Sequence, residues 1–150
     1  MREMTERALD TASAKGASYA DARTVRRLEE SISIKTGRVE GVASGESEGF
    51  GVRVLVDGAW GFSSSALLEP EEAERVTREA LEISRASAIA QREPVQLDDT
   101  EPIKDTYRTP YEEDPFSVSL DEKLRILLDA DAAMARVDGV AIREIGRAHV

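Results

Sequence analysis

The amino-acid sequence predicts an α+β fold, in which an antiparallel sheet of four to five strands carries two main helices, Pro70–Ala88 and Ser119–Arg136, packed on one face. Three observations predict this fold. Apolar and polar residues alternate between Tyr19 and Ser65, two-residue turns that contain glycine divide that region, and both predicted helices repeat apolar residues at helical spacing. The length of 150 residues suits one domain with a hydrophobic core of its own.

The first fifteen residues predict a short helix that Gly16 ends. The charged segment from Met1 to Arg7 lacks the apolar run of a secretory signal peptide, so we expect a cytoplasmic protein. The apolar positions that share one face of this helix are Met4, Ala8, Leu9 and Ala12.

Tight turns join the predicted strands, which cover residues 20–25, 31–35, 38–42, 51–56 and 59–62. Thr36-Gly37 and Asp57-Gly58 each separate two apolar runs, which predicts turns there. The Asp57-Gly58 pair predicts a tight hairpin, because a type I′ turn needs positive φ at both central positions. We interpret Gly45–Gly51 as a β-turn with close backbone packing, because it matches no phosphate-loop pattern and carries two glutamates. Ser63–Ser65 is interpreted as a strand end, because no histidine or lysine base stands at a spacing that would activate a serine.

The second helix is predicted to begin at Pro70, since proline suits the first helical position and two glutamates follow in the first turn. Four of the five prolines then fall between Gln91 and Ser117, among many acidic residues. Residues 89–118 therefore predict an extended connector, with an edge strand near Asp105–Arg108. The predicted buried stripe of the helix comprises Ala73, Val76, Ala80 and Ile83, widened by Leu81 and Ala88.

The third helix has a capping box at its start, where the Ser119 hydroxyl can accept from the Glu122 amide while the Glu122 carboxylate reaches back to the Ser119 amide. Asp138-Gly139 is predicted to end the helix, and Val140–Ile145 to begin another strand. A strand that begins so late in the chain suggests a piece of a longer protein. The predicted buried stripe comprises Leu120, Leu124, Leu127, Leu128 and Met134.

The charge balance argues against nucleic-acid and membrane partners. Thirty acidic and twenty basic residues give a net charge of −10 and a pI near 4.7, a field that repels phosphate backbones. The only basic cluster, Arg23, Arg26 and Arg27, is too short to reverse this. No stretch approaches the ~20 apolar residues that a membrane span requires.

A catalytic metal site cannot be assembled from these residue types. A catalytic zinc needs about three protein ligands, whereas the chain has one histidine, His149, and no cysteine. The acidic residues show no EF-hand-like spacing. We therefore predict no catalytic residue, no metal ligand and no cofactor within this stretch.

Several segments in order resemble one protein family: Tyr19–Arg23, Gly37–Glu40, Gly49–Ser64 with its Trp60-Gly61-Phe62, and the helix end Ala80–Ala88. They resemble the N-terminal domain of the TldD/PmbA family, the modulator-of-DNA-gyrase proteins, and the Trp-Gly-Phe version is similar to the TldD branch. The resemblance covers essentially the whole chain, which implies one N-terminal domain over residues 1–150. It implies a cytoplasmic zinc metallopeptidase that pairs with a related subunit. The family's helical His-Glu-x-x-x-His has no match here, so zinc is expected in a missing C-terminal part.

We therefore expect a non-catalytic domain that contributes to substrate access and to subunit assembly, as a homo- or hetero-oligomer, in the proteolysis of polypeptide substrates. Candidate substrate or partner contacts are Arg53, Trp60 and Phe62. Trp60 and Phe62 share one face of a strand, and we favour their filling the core over a partly open surface. The alternative function is a free-standing peptide-binding or assembly module that uses an exposed strand edge.

Overall fold

The structure, a computed structural model, describes residues 2–99 and 101–146. The strands form one antiparallel sheet in the order β3-β2-β1-β4, so the predicted α+β class is confirmed. The described residues group into two compact units: unit 1 lies within residues 1–26 and 47–103, and unit 2 within 27–46 and 104–150. The elements are α1 (Arg2–Ala14), β1 (Tyr19–Lys35), β2 (Arg38–Val56), β3 (Ala59–Ser65), α2 (Pro70–Ala90), α3 (Leu120–Met134) and β4 (Glu144–Ile145).

Two long strands replace four of the predicted short ones. β1 and β2 each join two predicted runs, and Gly45–Gly51 lies inside β2, so its interpretation as a β-turn is wrong. Glycine has little backbone preference of its own, and pairing with a neighbouring strand decides its conformation. The predicted close packing is confirmed at Gly49, where an added Cβ would lie 2.9 Å from the Ser65 carbonyl oxygen.

The core of unit 1 forms between the sheet and two helices, α1 and α2. The second helix of this layer is therefore α1, whereas α3 belongs to unit 2. Ile83, predicted to be buried, is 42% exposed, because Ser84 rather than Ile83 faces the hairpin of β2 and β3. The buried residues of this core are Met4, Ala8 and Ala12 of α1, Phe50, Val52, Val54 and Val56 of β2, and Ala73, Val76, Ala80 and Leu81 of α2.

Small residues on β3 let α2 approach closely. A Cβ on Gly61 would overlap the Ala80 carbonyl oxygen and lie 2.6 Å from the Ser84 amide nitrogen. The buried Ser84 hydroxyl accepts a hydrogen bond from the Val56 amide (3.1 Å) and lies 2.7 Å from the Ala59 carbonyl oxygen, to which it donates. The helix therefore holds the hairpin at the two residues that flank its turn.

The turn between β2 and β3 has the predicted type I′ character. Asp57 and Gly58 have φ of 51° and 75°, and the same pattern recurs at Thr36 (47°) and Gly37 (76°). Both turn predictions are confirmed.

The first residues of the connector between α2 and α3 contact this turn. The Val95 amide and the Gln91 side-chain amide both donate to the Gly58 carbonyl oxygen, each at 2.7 Å. The edge strand predicted near Asp105–Arg108 is wrong, since the described residues between α2 and α3 form no strand. Prolines close to that segment remove donors that a strand would need.

Gly58→Val is expected to lower the free energy of unfolding by about 2 kcal/mol, because the residue has positive φ and its Cβ would overlap Pro94, lying 2.8 Å from the Pro94 Cα. Gly16→Val is a matched control, since Gly16 also has positive φ (86°) but no atom lies within 4 Å of its added Cβ. Urea denaturation of both variants measures the difference. Equal losses of stability would contradict the packing of the connector on the turn.

Unit 2 contains the third helix, which begins as predicted. The Ser119 hydroxyl accepts from the Glu122 amide at 3.3 Å, as predicted. The other half of the predicted capping box is wrong, because the Glu122 carboxylate lies 3.8 Å from Arg125 instead of accepting from the Ser119 amide. The helix ends at Met134, two residues before the predicted end. Its predicted buried stripe is wrong in part: Leu120 is 42% exposed, and Leu124, Leu127, Leu128 and Met134 are only half-buried. An amphipathic pattern shows which side is apolar, but it does not supply a partner large enough to cover that side.

A buried ion pair joins α3 to the residues before β4. Arg143 donates to Asp131 through two nitrogens, with Nε 3.1 Å from Oδ1 and Nη2 3.3 Å from Oδ2. The side chains are 12% and 4% exposed. The Arg143 carbonyl oxygen accepts from the Thr36 amide at 2.9 Å, and a Cβ on Gly37 would lie 3.6 Å from Asp131 Oδ2. This pair therefore lies beside the Thr36-Gly37 turn.

The strand predicted over Val140–Ile145 is much shorter than expected. Only Glu144 and Ile145 form β4, opposite Lys35 and Ile34 of β1. The Val140 amide instead donates to the Val137 carbonyl oxygen in a turn at 3.2 Å, so the residues after Gly139 are not free to pair from the start.

Candidate functional site

One face of the unit 1 sheet remains partly open to solvent. Ala59, Gly61 and Ser63 of β3 are buried towards α2, whereas Trp60 is half-buried and Phe62 is 58% exposed on the opposite face. The prediction that Trp60 and Phe62 fill the core is therefore wrong, because the small residues between them are the ones that admit the helix. We call this side the open face; the residues that define it are Tyr19, Asp21, Arg23, Gly51, Arg53, Trp60 and Phe62.

Arg53 is the centre of the open face. Its Nε donates to Asp21 Oδ2 at 2.8 Å, and its Nη2 lies 2.7 Å from the same oxygen. The guanidinium stacks 4.6 Å from the centroid of the Trp60 ring, which meets Tyr19 edge-on at 5.7 Å. The hydrogen bond to Asp21 raises the pKa of Arg53 above its usual value, against a smaller opposing effect of burial. The group is therefore a fixed cation that orients the tryptophan.

The three predicted contact residues come together here. Phe62 lies directly opposite Arg53 in the pairing of β2 and β3, next to the Arg53–Trp60 stack. A Cβ on Gly51 would lie 2.9 Å from a Phe62 ring carbon, so the ring covers the Gly51 backbone.

A shallow cavity of about 180 Å³ lies beside Phe62. Arg23 Nε approaches Asp21 Oδ1 at 3.5 Å, so two guanidinium groups share one carboxylate at this cavity. The Arg23 side chain is 75% exposed. The lining residues are Asp21, Arg23, Gly51, Arg53 and Phe62.

The outer edge of β3 presents backbone groups in a defined order. The Leu55 carbonyl oxygen accepts from the Ser18 amide at 2.9 Å. The backbone N–H and C=O groups of Leu55 therefore point away from β3. The direction of the backbone N–H and C=O groups alternates along a strand, so those of Val54 and Val56 point towards β3. The N–H and C=O groups of their partners, Gly61 and Ala59, point back towards β2. The backbone groups of Trp60, Phe62 and Ser64 then point outward, and β2 is the only strand that pairs with β3 among the described residues.

The open face presents guanidinium groups, one carboxylate and aromatic rings. Within residues 2–99 and 101–146, no group of three or more His, Cys, Asp or Glu side chains could hold a metal ion. His149 lies outside the described residues. The Ser63 hydroxyl donates to Glu79 at 2.8 Å, and Glu79 in turn pairs with Arg75 at 3.1 Å. No helix in the described part of the chain is long and apolar enough to cross a membrane.

A second and larger groove, of about 580 Å³, lies in unit 2 and is mostly apolar. Its two charged side chains, Glu30 and Lys123, pair with each other at 2.8 Å. Its other lining residues are Ile32, Pro115, Phe116, Val118, Ile126, Leu127, Ile145 and Gly146.

Sequence reasoning missed four residues of the open face: Tyr19, Asp21, Arg23 and Gly51. The signal was present, since period-two alternation puts the first three on one side of β1, opposite Ala20 and Ala22. The sequence did not show on which face of the sheet the helices pack.

Comparisons with known proteins agree with this fold. Residues 20–84 match the family model described as PmbA/TldA metallopeptidase domain 1. A metalloprotease of Methanocaldococcus jannaschii is 32% identical over 111 residues, which are 74% of this chain and 25% of that protein. A metalloprotease of Methanothermobacter thermautotrophicus is 34% identical over 122 residues, 81% of this chain and 25% of that protein. The chain thus spans about a quarter of the length of these relatives.

Solved structures share the fold at low identity. A putative modulator of a DNA gyrase from Thermotoga maritima aligns with a TM-score of 0.64 and 18% identity, over 97% of this chain and 34% of that one. TldE from Thermococcus kodakarensis aligns with a TM-score of 0.61 and 15% identity, over 97% of this chain and 32% of that one. At these identities the likeness concerns the fold alone.

Proposed function

We propose, from the premise that the chain belongs to the PmbA/TldD metallopeptidase family, that it is the non-catalytic N-terminal domain of a zinc metallopeptidase and guides extended polypeptide towards the catalytic part. The whole protein is proposed to be a cytoplasmic peptidase that assembles with a related subunit. The zinc ligands are proposed to lie outside this stretch.

The outer edge of β3, with which no other strand pairs in the part of the chain that the structure describes, carries the proposed substrate role. Three outward-pointing residues, Trp60, Phe62 and Ser64, offer amide and carbonyl groups at alternate positions of this edge strand. An extended peptide can pair with such an edge through its own backbone, whatever its side chains. A peptidase that accepts varied sequences benefits from this kind of recognition.

Amide hydrogen exchange tests the edge directly. With an extended peptide of alternating threonine and valine, the amides of Trp60, Phe62 and Ser64 are expected to gain protection. The amides of Gly61 and Ser63 point towards β2 and serve as internal controls whose protection does not change. If no amide of β3 gains protection while the peptide is bound, the domain holds its substrate elsewhere or only supports the fold.

Ser64→Pro is expected to weaken peptide binding roughly 2- to 10-fold, the effect of one net hydrogen bond, because proline has no amide hydrogen. Proline is tolerated on an edge strand where its nitrogen faces outward, so the fold should survive. Ser64→Ala is the matched control, since it keeps the amide and loses only the hydroxyl. Equal binding by the two variants, measured by titration, would contradict backbone pairing at this edge.

A second candidate role is contact with the related subunit. The 58% exposure of Phe62 favours it, because an exposed aromatic ring beside an unpaired edge is typical of a surface that a partner covers. Exchange measured at rising protein concentration without peptide distinguishes the roles: protection of the same amides under that condition indicates self-association.

Metal analysis tests the assignment of the zinc site. We expect the 150-residue chain alone to retain no stoichiometric zinc after dialysis and to cleave no peptide, because it has one imidazole and no thiolate. One tightly held zinc per chain together with protease activity would overturn the assignment.

A further inference from the structure

The open face has a local charge opposite to that of the whole chain. The chain has a net charge of −10, and α2 carries many acidic residues on the other side of the sheet. At the cavity of the open face, by contrast, Arg23 and Arg53 outnumber the single carboxylate of Asp21. Exposed charges are screened over about 8 Å at physiological ionic strength, so a ligand at this cavity interacts chiefly with Arg23, Arg53 and Asp21, which together carry one net positive charge.

Two small residues separate the outer edge of β3 from this cavity, since Ser64 lies directly opposite Gly51. The edge of the Phe62 ring lies over Gly51, so a side chain from the outer edge reaches the cavity beside that ring. The neighbouring pair, Phe62 opposite Arg53, borders this approach with the aromatic ring.

A strand that pairs with β3 would place alternate side chains on the open face, one opposite Phe62 and one opposite Ser64. The first would pack on the phenyl ring as cross-strand neighbours do. The second could extend over Ser64 and beside the Phe62 ring towards the guanidinium groups of Arg23 and Arg53, which line the cavity. A glutamate there would add the second carboxylate that two arginines can accommodate.

We propose that the β3 edge selects extended polypeptide segments that carry an acidic residue two positions from a large apolar one. This preference rests on the proposed function, because it requires that a strand pairs with β3. It is opposite to the preference for basic peptides that the net charge alone predicts. The Arg23 side chain is largely exposed, so the expected gain in affinity is modest, roughly 3-fold at low salt, and falls as salt is added.

Trp60, the only tryptophan of the chain, stacks on Arg53, and its fluorescence reports binding at this face. The probes are three acetylated, amidated peptides with the sequence Thr-X-Thr-Phe-Thr-X-Thr, where X is Glu, Gln or Lys. The symmetric design places an X residue opposite Ser64 in either strand direction. We expect affinity in the order Glu, Gln, Lys at low salt.

Arg23→Gln is expected to abolish the advantage of the Glu peptide over the Gln peptide. Arg78→Gln is the matched control, because it makes the same charge change on α2, where Arg78 Nε donates to the Glu74 carbonyl oxygen, and should leave the advantage intact. Equal affinities for the three peptides, with β3 amides still protected, would overturn the selectivity and leave the edge role standing. Tightest binding by the Lys peptide, or equal effects of the two variants, would also overturn it. Failure of all three peptides to bind would overturn both proposals.

Discussion

Gly61→Ala is expected to destabilise the protein by about 3 kcal/mol or more, because the added methyl group has no room beside α2. The new Cβ would overlap the Ala80 carbonyl oxygen and lie 2.6 Å from the Ser84 amide nitrogen. These are backbone atoms of α2, so no side-chain rotation relieves the overlap. The helix must move away from β3, and the bonds of the Ser84 hydroxyl to the hairpin are lost with it.

Gly45→Ala is the matched control for this substitution. Gly45 also lies in a strand, but no atom is within 4 Å of its added Cβ. Alanine restricts the unfolded chain more than glycine does, so this variant is expected to gain about 0.5–1 kcal/mol. Urea denaturation midpoints measure both changes. A small loss at Gly61, comparable to the change at Gly45, would show that α2 does not contact β3 through its backbone.

Asp131→Ala is expected to cost about 3 kcal/mol, because it leaves the Arg143 guanidinium, only 12% exposed, without a counter-charge. Asp129→Ala is the control: Asp129 is two residues earlier on α3, 73% exposed, and lies 3.9 Å from Arg125. Its loss is expected to change stability by less than about 1 kcal/mol.

The double variant Asp131→Ala/Arg143→Ala separates two causes of the lost stability, the missing ion pair and the guanidinium left without a counter-charge. If an unpaired buried charge dominates, the double variant is more stable than Asp131→Ala alone. Thermal unfolding followed by circular dichroism provides the comparison. Similar stability of Asp131→Ala and Asp129→Ala would contradict the burial of this ion pair.

Local chemistry explains what could be predicted from sequence. The turns at Thr36-Gly37 and Asp57-Gly58, the proline at the start of α2 and the Ser119 cap each depend on residues close together in the chain. Their conformations are set by φ preferences and by short-range hydrogen bonds. Distant contacts are not needed for any of them.

The sequence predictions were wrong where the structure depends on contacts between residues that are distant in the chain. The alternation of side chains along a strand showed that Trp60 and Phe62 share a face, and their size suggested that this face is buried. The helix packs on the other face, because Gly61 has no side chain to keep it away. The candidate site could thus be predicted as a set of neighbours, Arg53, Trp60 and Phe62, but its exposure and its link to Asp21 could not. The half-exposed stripe of α3 has the same origin, since periodicity does not reveal what covers a helix.

The division of the chain between the two units has a consequence for biosynthesis. Every segment of unit 1 precedes residue 104, whereas unit 2 needs residues 104–150 to complete it. At a translation rate of roughly 5–20 residues per second, this last stretch takes about 2–10 s to make. Residues 27–46, made earlier, still lack α3 and β4 at this point. The chain order therefore lets the N-terminal core form before the segments that complete unit 2 are available.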